Sequence, residues 1–161
     1  IILSNLFHFL VALSLLVVAL VADKLFMEHY GLVELLFYFG RMLWLLPAIL
    51  LLLVFTVGLS LLTSSLNVRF RDVNFIVQLA VMLWFYATPV IYALKLLPEF
   101  LWPVFYLNPM TSVVELFHYA LMGLPLTLTS FVSVGLVAIV LVFYYGLRVF
   151  WRENKNFDDW L

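Results

Sequence analysis

The side chains able to do chemistry in this sequence fall into a few groups. Glu115 and His118 stand at i and i+3, which puts a carboxylate and an imidazole on one face of a helix. An E-x-x-H pair is half of a carboxylate-bridged di-metal site, but that site needs a second pair and further Glu ligands. The other imidazoles, His8 and His29, lie in no matching motif, so no metal site is expected. An ionisable pair in a strongly apolar sequence marks a functional lining instead. Trp84, Phe85 and Tyr86 form an aromatic run, followed by Thr88-Pro89 and Tyr92. Aromatic faces pack against the apolar faces of sugar rings, which makes these four rings candidates for lining a carbohydrate path. Helix packing is the plainer use of any one of them. Arg69, Arg71 and Asp72 sit together in LNVRFRDVNF, either as a basic anchor or as a hinge or docking corner.

Much chemistry is absent. The sequence holds no G-x-x-x-x-G-K-[ST] loop, so it does not bind ATP in the Walker manner. It has no H-E-x-x-H, G-x-S-x-G or clustered acid dyad, and nothing nominates a catalytic residue. With no Cys there is no disulfide framework, thiolate metal site or Cys nucleophile. The 8 basic and 9 acidic residues nearly cancel, which argues against nucleic-acid binding.

The elements that must position these groups are set by where the charges stop. Of 161 residues, 67% are hydrophobic and 11% charged, with a mean hydropathy of +1.20. So much apolar surface cannot be hidden inside a small globule, and the chain is expected to be an all-α integral membrane protein. Residues 1–22, 42–68, 73–94, 100–114 and 116–147 carry no Asp, Glu, Lys or Arg. Crossing a hydrocarbon core takes about 20 apolar residues. Four transmembrane helices follow, at 2–22, 43–66, 75–94 and 129–148. Thr56, Ser60 and Ser64 recur every four residues in the second, with Gly58 and Thr63 nearby, a pattern suited to close helix packing. The first run is too long for a signal peptide and lacks a basic flank. It opens without Met inside an apolar stretch, and is expected to belong to a longer polypeptide.

The segment 98–123 is broken by Pro98, Pro103 and Pro109. Asn108 is a favoured N-cap, and Pro109 then takes the first helical position, where its missing N–H costs nothing. Gly123 and Pro125 supply a stop. A helix over 109–122 rises only ~21 Å and cannot cross. Two short non-crossing helices, 99–107 and 109–122, are therefore expected at one membrane face, with a single kinked span as the alternative. Irregular backbone at such depth is tolerated only where it is buried or lines a cavity, which points to an entrance or exit. With four crossings, Arg69, Arg71, Arg148, Arg152 and Lys155 share one side, cytoplasmic by the positive-inside tendency. A five-span reading divides the charges equally well, so charge counting leaves the topology open.

The landmarks Pro47, Gly58 to Ser60, Leu66 to Val73, Thr88 to Tyr92, Pro98 and Leu107 to Glu115 form an ordered set. This succession resembles the permease subunits of type-2 ABC exporters, and within them the branch that exports O-antigen, teichoic acid and capsular polysaccharides in bacteria. The resemblance implies a single transmembrane domain over 1–161, the C-terminal two-thirds of a six-helix permease of the bacterial inner membrane. It implies a homodimer with the path at its interface, and a separate pair of cytoplasmic ATPase subunits carrying ATP and Mg. The substrate would be a glycan or lipid-linked glycan, and no cofactor would reside in this chain. Asn108, Pro109, Glu115 and His118 would belong to outer gate helices, His118 standing where the family often has Arg. Trp84, Phe85, Tyr86 and Tyr92 would line the channel, and Arg69, Arg71 and Asp72 the cytoplasmic corner. The family's main coupling helix would precede the first span. Two other readings are an integral-membrane enzyme acting on polyprenyl-linked glycans and a non-transporting assembly subunit.

Overall fold

The computed structural model describes residues 2–27, 29–69, 72–90, 92, 96–126 and 129–154. Seven α-helices carry them: α1 (Ile2–Phe26), α2 (Leu32–Met42), α3 (Leu45–Arg69), α4 (Val73–Tyr86), α5 (Trp102–Tyr106), α6 (Pro109–Met122) and α7 (Thr129–Asn154), with a 3-10 turn at Glu99–Leu101 before α5. No strand occurs among the described residues. Among the described residues, three helical segments are long and apolar enough to cross a membrane: α1, the α2–α3 run and α7. The chain is an all-α, multi-pass membrane protein.

The centre of the fold is the pairing of α3 with α7, set by two glycines. A Cβ on Gly58 would lie 2.7 Å from the Cα of Phe143, and one on Gly146 would strike the carbonyl oxygen of Gly58. The two backbones therefore touch directly, the close approach that small residues permit between helices in lipid. On α7, Gly135, Ile139, Val142 and Gly146 follow i, i+4, i+7, i+11 and form one inward face. Ile139 meets Phe55 of α3 and Val113 of α6 in the core, with Leu51, Leu52, Val142 and Trp84 packed around them. Thr56, Thr63 and Ser65 of α3 turn their hydroxyls back on their own helix. Thr56 donates to the Leu52 carbonyl, Thr63 to Ser60 and Ser65 to Leu61. In that expected packing stripe, Gly58 makes the close contact, and the Thr56 and Thr63 hydroxyls bond within their own helix.

The most buried helix is the short one. Pro109, Thr111, Ser112, Val113, Glu115, Leu116, Ala120 and Leu121 of α6 are all buried. It packs against α2, α3, α5 and α7, and Gly135 lets α7 close on Ser112. Its start and stop follow the expected chemistry. The Asn108 side chain caps the Met110 N–H at 3.0 Å, and Gly123 ends the helix at φ 70, a left-handed conformation suited to glycine. The break at Leu107–Asn108 makes α5 and α6 two helices rather than one kinked span.

The expected helix 99–107 is a 3-10 turn followed by the five residues of α5, and two further features differ from expectation. The third expected crossing, 75–94, is helical over Val73–Tyr86, 14 residues that rise ~21 Å. The helix stops ahead of Pro89, whose preceding residue is biased away from helical geometry. Residues 91, 93 and 94 of that expected span lie outside the described residues. The second difference is α2, an 11-residue helix joined to α3 through Leu43-Trp44. It is amphipathic in the inverted sense. Tyr38 is 0% exposed, whereas Leu32, Val33, Leu36 and Phe37 are each at least 65% exposed. An apolar face turned outward is stable in lipid, not in water.

Replacing Gly58 by Val should destabilise the purified protein by about 1–3 kcal/mol, the usual cost of overpacking, because backbone rather than a flexible side chain occupies the space. Thermal unfolding in detergent measures it; Thr56→Val, which loses only a bond within its own helix, should change little.

Candidate functional site

The candidate residues gather where the end of α4 meets the start of α6. Asn108 holds this junction with its whole side-chain amide. Its Oδ1 accepts from Trp84 Nε1 at 2.7 Å and from its own cap partner, the Met110 N–H. Its Nδ2 donates to Thr88 Oγ1 at 2.9 Å and to the Ala87 carbonyl at 3.2 Å. Thr88 in turn donates to the Trp84 carbonyl at 2.8 Å. Two lone pairs and two N–H groups are thus all used, the complete inventory of an amide. Satisfying it within protein is what a dry, apolar surrounding demands. The Trp84 ring packs edge-on to Phe55, centroids 5.8 Å apart, which carries the junction to the α3 core.

The four aromatic candidates therefore divide. Trp84 is half-buried and bonded to Asn108. Phe85 and Tyr86 point away from the chain, 48% and 65% exposed. Tyr92 folds back on them, its hydroxyl donating to the Tyr86 carbonyl at 3.1 Å while its ring meets Phe105 of α5 at 6.2 Å. Together they leave an aromatic surface beside the α4–α6 junction.

Along α6, Asn108, Thr111, Ser112 and Glu115 follow i, i+3, i+4, i+7 and form one polar stripe. The Glu115 carboxylate accepts from the Tyr106 hydroxyl at 3.2 Å, and Tyr106 is itself 0% exposed. The Thr111 and Ser112 hydroxyls are buried with no hydrogen-bond partner among the described residues. His118 lies one turn beyond Glu115, on a helix too short to span. Burial pushes its imidazole below the ordinary histidine value, against the opposing pull of the Glu115 carboxylate. No group of three or more His, Cys, Asp or Glu among the described residues is placed to hold a metal ion.

The corner expected at 69–72 is only partly described. Arg69 closes α3, Asp72 precedes α4 and is exposed, and its carbonyl accepts from Phe75 N at 3.2 Å. Arg71 and the side chain of Arg69 lie outside the described residues. One feature absent from the sequence reading is the far end of α6. The Tyr38 hydroxyl donates to the Leu121 carbonyl at 3.5 Å, and the Arg41 guanidinium packs on Gly123 and over the Tyr38 ring. Tyr38 and Arg41 stand at i and i+3, a spacing that could have revealed the inward face of α2, while Glu34 one turn earlier is exposed.

Fold and site define a multi-pass helical membrane protein with a buried, non-crossing helix tied to a neighbouring aromatic surface. Residues 1–122 match the family model of the ABC-2 type transporter, and the chain belongs to that family. It is 32% identical over 123 residues to an O-antigen export system permease protein of Klebsiella pneumoniae, covering 73% of this chain and 45% of the relative. A second protein of that description from the same organism is 33% identical over 107 residues, 66% of this chain and 40% of the relative. One from Myxococcus xanthus is 41% identical over 51 residues, 32% of this chain and 20% of the relative. The chain thus spans less than half the length of the curated relatives it matches.

Substituting Asn108 by Ala should destabilise the fold by about 2 kcal/mol, since it removes a cap and strands the Trp84 donor and the Thr88 hydroxyl. Trp84→Phe keeps the ring against Phe55 and should cost about 1 kcal/mol. If the two share one junction, the double variant will lose less than the sum, as an unfolding cycle would measure.

Proposed function

We propose that this chain is part of a permease subunit that exports a polysaccharide, of the O-antigen kind, across the bacterial inner membrane. The supporting observation is the exposed Phe85–Tyr86 surface, continued by Tyr92 and anchored through Trp84 and Asn108 to α6. Rings held at a rigid junction but turned away from their own chain suit a path shared between two subunits. The relatives' names and the family support the same reading.

In this reading two copies face each other, and Phe85, Tyr86 and Tyr92 line the route for the glycan or lipid-linked glycan. Trp84 positions that surface. Asn108, Pro109, Glu115 and His118 belong to the outer gate, which α6 forms by inserting among the crossing helices. Arg69, Arg71 and Asp72 form the cytoplasmic corner, through which a separate pair of ATPase subunits, holding ATP and Mg, acts on α3 and α4. The Asn108 junction then carries movement of α4 directly to α6. Stacking on sugar faces tolerates varied linkages, which suits a repeating polymer.

The test is glycan export by the full-length protein with its ATPase in sealed vesicles. Phe85→Ala with Tyr86→Ala should cut export about tenfold, as a loss of two stacking faces would, while thermal stability and ATPase association hold. Export at the original rate would remove these rings from the path.

A further inference from the structure

Away from the α4–α6 junction, an open groove of about 490 Å³ runs along α2, lined by Val33, Leu36, Phe37, Gly40, Arg41, Trp44 and Tyr119. Val33, Phe37, Gly40 and Trp44 follow i, i+4, i+7, i+11, so the groove tracks the helix for ~16 Å. Its walls are apolar and exposed: Val33 is 65%, Leu36 71% and Phe37 73% exposed. Trp44 and Tyr119 meet edge-on at its end, centroids 6.0 Å apart. Such rings mark the level of lipid headgroups.

Among the described residues that line this groove, Arg41 is the cation. The Arg41 guanidinium lies over the Tyr38 ring, 5.5 Å from its centroid, and against Gly123. It makes no ion pair with a carboxylate among the described residues. Glu34, the acid of the same helix, instead accepts from the Gly31 N–H at 2.8 Å. A half-buried guanidinium beside an apolar channel needs an anion, and its planar fork of donors suits the paired oxygens of a phosphate.

We propose that this groove binds one anionic phospholipid of the surrounding bilayer. Its phosphodiester sits on Arg41 and an acyl chain lies along Val33, Leu36 and Phe37. Charge selects the occupant: among the described residues, no carboxylate lines the groove to receive the amine of a zwitterionic headgroup. The bound lipid would bridge α2 to the end of α6 and so brace the buried helix from outside. The proposal rests on membrane embedding and on the groove, not on the identity of any exported substrate.

The experiment is native mass spectrometry of the full-length protein in detergent, titrated with phosphatidylglycerol or phosphatidylcholine. One phosphatidylglycerol per chain should be retained, with phosphatidylcholine at least about tenfold weaker. Arg41→Ala should weaken phosphatidylglycerol retention about tenfold, Arg41→Lys less, and Arg152→Ala, an exposed arginine at the other end of α7, not at all. Dibrominated phosphatidylglycerol should quench fluorescence in wild type more than in Trp44→Phe. Equal retention of the two lipids, or retention unaffected by both Arg41 variants, would overturn the proposal. So would an Arg41→Ala protein that changes oligomeric state while keeping its lipid, because a second copy would then occupy the groove.

Discussion

The structure depends on one direct backbone contact, where Gly58 of α3 meets Gly146 of α7. Lipid tails are as apolar as leucine side chains, so helices gain little from merely hiding grease from one another. What holds them is close van der Waals packing, and glycine brings two main chains nearer than any other residue allows. Once α3 and α7 are fixed, their upper parts leave a cleft whose wall includes Phe55, Ile139 and Gly135. The short helix α6 fills it. Every candidate gate residue is carried on that helix or on the loop that caps it.

Filling a membrane protein's interior with a polar-striped helix raises a second demand. Each hydrogen-bonding group brought inside needs a partner from the chain itself. Asn108 meets it completely by joining the end of α4, and Tyr106 serves Glu115. The price of this arrangement is visible at Thr111 and Ser112, whose hydroxyls are buried without such partners. A helix so placed is held by directional bonds at its start and by packing along its length. That division fixes the start of α6 to α4 and its body against α7, where Gly135 closes on Ser112.

Much of this was legible in the residues. Asn108-Pro109 and Gly123 are local signals, and they set the limits of α6 because capping and proline geometry act within a single turn. The charge-free runs located α1, α3 and α7 for a similar reason, as bilayer thickness is a simple length requirement. The depth of burial of α6 was not legible, because it depends on Gly135 and Gly58 meeting partners far along the chain. The early stop of α4 was obscured by its continuous apolar run, which hides the effect of Pro89. Helix α2 was not legible because Glu34 and Arg41 interrupt its apolar run, and the burial of Tyr38 depends on α6, which comes much later in the chain. The division among Trp84, Phe85 and Tyr86 also needed three dimensions: adjacent residues on a helix point in different directions, and only Trp84 reaches Asn108.

The inverted polarity of α2 bears on the order in which the molecule is made. Its inward face, Tyr38 and Arg41, is covered by the last turn of α6, and the Tyr38–Leu121 bond joins positions 83 residues apart. A ribosome adds about 5–20 residues per second, so Tyr38 waits roughly 4–17 seconds before its partner is synthesised. During that interval α2 exposes a polar face that the hydrocarbon core will not accept. Until α6 arrives, the Tyr38 hydroxyl and the Arg41 guanidinium lack the contacts they make in the finished fold. The first half of the chain is thus inserted early but finished late, and the short helix acts as the closing piece of assembly.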